Sequence, residues 1–499
     1  ILCWAQTSSC TDYDFRLTGN SLFSLSPVKP GRDPAMTTTP TRRQCLQHAA
    51  CGFGSLALAD LLRAETIART AARPHFQPRA KRVIFLFMQG GPSQLDLFDP
   101  KPFIQQRHGQ PVASPLSKTV LQVGTERFLA LGTAVPVRPR GQCGMPMSDL
   151  LPRLARVADD LCLLKGMSAD NPQHMPAELQ LHTGALNDVR PSMGAWISYG
   201  LGTENRNLPS FVTINPHADV RYHGASWLPA EHQGTRLNAS GTADSPPIDN
   251  LRNLSSSQQL QRKRLDFLQR QNQRLQQAVP DARMDGMIAA MELAFRMQTT
   301  TPALVDLSQE TQTTQADYGV GGKDTDRNAR ACLLARRLSE AGVRFVQVTL
   351  GGWDHHGDIR GNLPRLCAQT DQPVAALVSD LKQRGLLDDT LVVWTGEFGR
   401  TPWSQDLSGT AHIDTHGREH QPESFCAWLA GGGIRPGFVY GATDDLGYRV
   451  IEGRIHIHDL HATILHQLGL DHTRLTWNHI GRDYRLTDVY GTVTREILS

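Results

Sequence analysis

Short, unbroken apolar runs that stop at glycine-rich polar clusters constrain this chain more than any other feature. Val83–Met88 (VIFLFM) stops at Gln89-Gly-Gly-Pro, Val343–Leu350 (VRFVQVTL) at Gly-Gly-Trp-Asp-His-His, and Leu391–Trp394 (LVVW) shortly before Glu397-Phe-Gly-Arg. Runs of this kind read as strands buried on both faces, the habit of parallel sheets. Leu161–Leu164, Phe211–Ile214 and Phe425–Leu429 are shorter candidates. Helical spacings lie between them: Ser148–Asp159, Ala177–His182, Asn328–Ala341 closed by Gly342, Pro373–Arg384 closed by Gly385, and Asp459–Leu468 with Asp459 as N-cap and Gly469 as stop. Strands alternating with helices predict an α/β fold with a mostly parallel central sheet and helices on both faces. Ligands in such sheets bind beyond the C-terminal strand ends, where the polar clusters fall here.

Composition narrows the function classes. The 51 basic and 48 acidic side chains leave a net charge of +3 over 499 residues. That balance argues against a nucleic-acid partner held by counterion release. No apolar run reaches the roughly 18 residues of a membrane span. None of the nine cysteines forms a CxxC pair, so a zinc ribbon or thioredoxin motif is excluded and no disulfide framework is expected.

The ends and the insertion read separately. Residues 1–35 lack periodicity and an apolar core, and the first methionine is Met36. They are expected to be a mis-called upstream extension. From 36 to 72, Arg42-Arg43 precedes a weakly apolar stretch, the pattern of a twin-arginine export signal, so export to the periplasm or cell envelope is expected. The α/β domain should then run from 80 to 499. Two polar helices, Ser257–Gln277 and Asp281–Met297, form an insertion at about 255–300. The first is basic, but reads as one arm of a solvated helical hairpin.

The chemistry-bearing residues cluster at strand exits. Asp354 and His356 offer a carboxylate and an imidazole to Zn²⁺, Mn²⁺ or Fe, with His355 beside them as a supporting residue. Glu397 is a ligand or general-base candidate. His412, His416 and His420 fall within nine residues of one Asp/Gly-rich loop, alongside Arg418. His174 opens a helix, where an anion is favoured. Asp96 follows the first strand, near Ser93, whereas Asp99 before Pro100 reads as a turn residue. No G-x-S-x-G, Walker A, G-x-G-x-x-G or H-E-x-x-H motif is present.

Read together, GGPSQLDLFDPKP (90–102), ARRLSEAGVRFVQV (335–348), GGWDHHGD (351–358), LLDDTLVVWTGEFGRTP (386–402), GREHQPESF (417–425), AGGGIRPGFVYGATDD (430–445) and HDLHATILHQLG (458–469) resemble the domain of unknown function 1501 family. That family is similar to the sulfatase-like branch of the alkaline phosphatase superfamily, which implies an alkaline phosphatase/sulfatase-like fold. In the sulfatase pattern Glu397 stands at a metal-binding Asp and Phe398 at the next ligand. His174 stands at the modified Cys or Ser nucleophile, and Glu178 replaces an Arg. Gln89-Gly90-Gly91 replaces the Asp after the first strand, for which Asp96 could substitute. The resemblance implies an exported, metal-dependent hydrolase of sulfate or phosphate esters, on a small molecule or a polysaccharide, without a formylglycine nucleophile. The implied ligands to a divalent ion (Zn, Mn or Ca) are Asp354, His356, Glu397, His420 and Asp96. His174 would act in catalysis, Arg400 and Arg418 would neutralise the anion, and His355, Ser93 and His416 would support them. The departures at His174 and Phe398 equally imply an alternative, a degenerate sulfatase-like binding or envelope protein.

Overall fold

The computed structural model describes residues 74–113, 128–240, 247–248, 256–278, 282–407, 409 and 412–499. The expectations for 1–35 and 36–72 lie outside them. The strands of the central sheet are β1 (Arg82–Phe87), β2 (Leu161–Ser168), β3 (Phe211–Ile214), β4 (Thr235–Leu237), β5 (Phe345–Thr349), β6 (Thr390–Thr395), β9 (Phe425–Ala430), β10 (Phe438–Tyr440) and β11 (Ile455–His456), with a separate two-stranded ribbon of β7 (Gly399–Gln405) and β8 (Gly417–Gln421). The sheet order is β10-β2-β9-β6-β1-β5-β3-β4, with β11 also on β2.

The fold is mixed α/β with a largely parallel sheet. Every pairing in it is parallel except those of β9, which runs antiparallel to both β2 and β6. The glycines after β9 therefore lie at the opposite sheet edge from the exits of β1, β5 and β6. β1 shows why the sheet is covered on both sides. Ile84 and Leu86 belong to one core cluster and Val83, Phe85 and Phe87 to a second, as strand alternation requires. Helices α5 (Asp326–Glu340) and α6 (Ile359–Gln383) pack in the first cluster. Helices α2 (Met193–Leu201) and α7 (Ile457–Gln467) pack in the second.

Several elements depart from the pattern-based reading. Helix α6 begins at Ile359 and runs through Pro364 and Pro373. Pro373 donates no hydrogen bond to the Gln369 carbonyl, which instead accepts from Asn328 Nδ2 at 3.2 Å. The expected helix at 148–159 is a strand end followed by a seven-residue 3₁₀ helix, Leu154–Asp160, its first amides capped by Asp371 at 2.8 Å. In α7 the N-cap is His456, with Asp459 completing a capping box. The residues around His420 are a strand, β8, rather than a loop. Helices α3 (Gln258–Ala278) and α4 (Ala282–Val305) fill the expected insertion. The described cysteines are free thiols.

Beneath helix α1 (His174–Thr183) lies a set of buried imidazoles. Burial, with neighbouring positive groups adding, pushes His182 and His461 down to about 3 and His223 to about 4. The unfolded chain therefore binds protons from about pH 6.5 downward that the folded chain refuses, so stability falls as pH falls across that window. Each imidazole contributes about 1.4 kcal/mol per pH unit, and the three together on the order of 4. Urea midpoints measured between pH 7.5 and 5 should fall steeply; a flat profile would refute the effect.

Candidate metal centre

The register of β1 against β5 and β6 pairs Phe87 with both Thr349 and Thr395, so three chain exits open side by side. They deliver Gln89-Gly90, Asp354 with His356, and Glu397. β2 leads through Pro172 into α1 and delivers His174. The β7–β8 ribbon adds Arg400 and His420. Gly90 sits where these loops meet, at φ +114°. A Cβ there would lie 2.5 Å from the Asp354 amide nitrogen. Gly90→Ala is therefore expected to displace the Asp354 loop and lower metal occupancy, read by elemental analysis of a variant whose circular dichroism is native.

Asp354 Oδ1 is the point of convergence. His356 Nε2 lies 2.8 Å from it, and His174 Nε2 and His420 Nε2 each 3.3 Å. The other nitrogen of each ring is anchored to an oxygen. His174 Nδ1 is 2.7 Å from Glu397 Oε1, His356 Nδ1 is 2.5 Å from Gln405 Oε1, and His420 Nδ1 is 2.6 Å from the Pro172 carbonyl. Carboxylate and carbonyl oxygens only accept, and the Gln405 amide nitrogen is turned toward Glu419, so each Nδ1 carries the proton. Three Nε2 atoms are then left to face one carboxylate oxygen. His174 Nε2 is buried with no hydrogen-bond partner.

The electrostatics express the same arrangement. Burial alone would push the His174 imidazolium down, but Asp354 and Glu397 outweigh it and hold it up at about 9. The same contest, with Asp354 and Gln405 opposing burial, raises His356. Burial, reinforced by Arg400 and the neighbouring imidazoles, takes His420 down to about 4. Burial would raise Asp354, yet the three imidazoles and Arg400 hold its carboxyl far below the usual range.

The donor set fits a cation. His174, Asp354, His356 and His420 present one ligand atom each, all within 4.8 Å of one another. Contacts of 2.8–3.3 Å to Asp354 Oδ1 approach the ~3.3 Å ligand–ligand edge of a tetrahedral ion with ~2.0 Å bonds. Anchored Nδ1–H groups are the usual support for metal-binding imidazoles. Three imidazoles and one carboxylate suit Zn²⁺ or Mn²⁺ better than Ca²⁺, which takes oxygen ligands. The Asp354 side chain is 42 % exposed, so the cluster opens to solvent.

The remaining sequence candidates fall elsewhere. Glu397 is fully buried and accepts from the Gly90 amide at 3.0 Å; with His174 and Glu178 it forms a second donor group beside the first. Arg400 is buried with its donors committed: Nε to Gly91 O, Nη1 to Arg418 O, and Nη2 to Gly90 O and Asp354 Oδ1. It orients Asp354 from inside the fold. Arg418 is likewise committed to Asp96, Thr401 O and Leu131 O. Asp96 is thus held in a buried ion pair, with the Ser93 hydroxyl donating to it at 2.5 Å, and stands outside the cluster. His416 lies 3.6 Å from Asp406, and His355 is buried with its backbone carbonyl accepting from the Arg418 amide. His412 is exposed.

Other contributors carry no motif. Phe398 packs its ring against His174 and His420, with centroids at 5.0 and 4.4 Å, and so fixes both imidazoles. Glu178 is buried, bonded by Gln89 Nε2 at 3.2 Å and the Tyr222 hydroxyl at 2.7 Å. Burial and the nearby Glu397 raise its carboxyl to about 7. In the sequence Glu178 shows only as the residue that replaces an Arg of the sulfatase pattern.

The chain belongs to the family described as "Protein of unknown function (DUF1501)", whose model matches residues 80–498. No curated protein matches it. Solved structures with a similar chain course include the lipoteichoic acid synthase LtaP from Listeria monocytogenes, at 10% identity over 85% of this chain and 79% of that one, TM-score 0.38. The PsFucS1 sulfatase from Pseudoalteromonas sp. shares 13% over 84% and 71%, TM-score 0.32. Alkaline phosphatase from the Antarctic bacterium TAB5 shares 11% over 81% and 99%, TM-score 0.35.

Proposed function

We propose that this DUF1501 chain is a divalent-metal-dependent hydrolase of anionic esters, phosphate or sulfate, carried on a small molecule or a polysaccharide and met outside the cytoplasm. One observation carries the reading: three imidazole Nε2 atoms, each with its Nδ1 proton tied to an oxygen, converge on Asp354 Oδ1. His174, His356, His420 and Asp354 would hold the ion. A bound divalent cation supplies Lewis acidity for an ester oxygen and a lower pKa for water. Arg400 fixes the Asp354 carboxylate, and Glu397 fixes His174. Phe398 excludes water from one side of the two imidazoles. Glu178, beside Glu397 and His174, is the carboxyl placed to pass a proton. With His174 Nδ1 tied to Glu397 and Nε2 facing Asp354 without a hydrogen-bond partner, the ligand role suits it better than that of a nucleophile.

A second reading has its own support. Four protein donors fill a tetrahedral ion, the habit of structural zinc. On that reading the chain holds metal and binds without turnover. The test is elemental analysis of the full chain purified without chelator or affinity metal, followed by assay on aryl phosphate and aryl sulfate esters. Metal with hydrolysis of either ester supports the hydrolase. Metal with no hydrolysis supports the second reading, and a folded chain that takes up no metal overturns both.

A further inference from the structure

The hairpin of α3 and α4 is built inside out. Its internal contact is polar: Arg262 reaches Glu292 through two bonds of 2.8 and 2.6 Å, Gln269 donates to the same carboxylate, and Gln298 bonds Gln261. Four of the five large apolar side chains on α3 face outward, with Leu260 43 %, Phe267 54 %, Leu268 43 % and Leu275 50 % exposed, while Leu265 is half-buried. At about 100° per residue these four fall within roughly 100° of arc, which exposed Arg264 and Gln271 share. Lys263, Arg270 and Arg274, all exposed, line one edge of that arc. The only acid on α3, Asp266, is paired with Arg262.

From this geometry we infer that the outward face of α3 docks on an anionic lipid bilayer. An apolar stripe exposed on a helix marks an interaction surface, because burial inside the fold would otherwise claim it. Charge complementarity selects the partner. A second copy would bring the same cations against these ones. A coiled-coil partner needs apolar residues three and four positions apart, yet Lys263, Arg264, Arg270, Gln271 and Asn272 occupy those places after Leu260, Phe267 and Leu268. An arc of apolar side chains interspersed with and flanked by long polar and cationic ones suits a bilayer interface: leucine and phenylalanine enter the acyl boundary while lysine and arginine reach anionic headgroups. No described helix is long and apolar enough to cross a membrane, so the contact is peripheral. The inference is independent of the metal centre.

Vesicle flotation of the full chain tests it. The chain should float with phosphatidylglycerol–phosphatidylethanolamine vesicles, not with pure phosphatidylcholine, and less so at high salt. The double variant Phe267→Glu, Leu268→Glu should reduce the bound fraction at least about tenfold with the circular dichroism spectrum and unfolding midpoint unchanged. Should that variant unfold, Phe267→Trp gives the readout: emission shifts to the blue on anionic vesicles. Absence of flotation, undiminished flotation of the folded double variant, an unshifted tryptophan, or binding to an acidic helical peptide in place of vesicles would each overturn the proposal.

Discussion

On the metallohydrolase reading proposed above, His420→Ala is expected to lose metal binding and at least about 100-fold in ester hydrolysis, while the protein remains folded. The imidazole is one of three that complete the donor set around Asp354, and its Pro172 tether holds it in place before any ion arrives. Removing a ligand should cost more than removing a ligand's support, which typically costs 10–100-fold in affinity or activity. Gln405→Ala, which frees the His356 Nδ1 proton from its acceptor, should therefore fall in that ~10–100-fold range. Measured together, metal content and hydrolysis should drop in this order: wild type, Gln405→Ala, His420→Ala. Full metal retention in His420→Ala would remove that residue from the site and sink the three-imidazole centre.

The second large effect is on stability. Asp96→Ala should destabilise the fold by about 3–5 kcal/mol and leave the metal in place. Arg418 is fully buried, and among the described residues Asp96 is the carboxylate that meets its guanidinium, at 2.8 Å, with the backbone carbonyls of Thr401 and Leu131 as further acceptors. Truncating the acid strands a buried cation, and that penalty exceeds the net worth of the pair itself. The urea midpoint should move far more for Asp96→Ala than for Asp96→Asn, which keeps the shape and can still accept a hydrogen bond. An unchanged midpoint with lost metal would restore Asp96 as a ligand.

The apolar runs made β1, β5 and β6 readable because a doubly buried strand writes itself into every residue, not every second one. The antiparallel course of β9 was not readable, since direction leaves no trace in composition. Helix α6 was cut short at Pro373 by a rule that holds until a neighbour such as Asn328 satisfies the stranded carbonyl. At the centre, strand-exit position pointed to Asp354, His356 and Glu397, and local density of histidine to His420. The partners of the two arginines leave no trace in one dimension. Only the folded chain shows that Arg400 and Arg418 spend their donors on carbonyls and on Asp354 and Asp96. Glu178, Gln405 and the Pro172 carbonyl act through contacts between segments far apart in sequence, which no local pattern encodes. The apolar face of α3 was not readable as one face, because a Gln- and Arg-rich run separates four apolar residues that share one side.

The tether between His420 and Pro172 joins points 248 residues apart along the chain. A ring held that way cannot be in place until β2, β8 and the sheet between them have been assembled, so the donor set is a late product of folding. On the metal-binding reading proposed above, ion capture would then follow chain closure, unlike in small zinc modules whose metal organises the polypeptide.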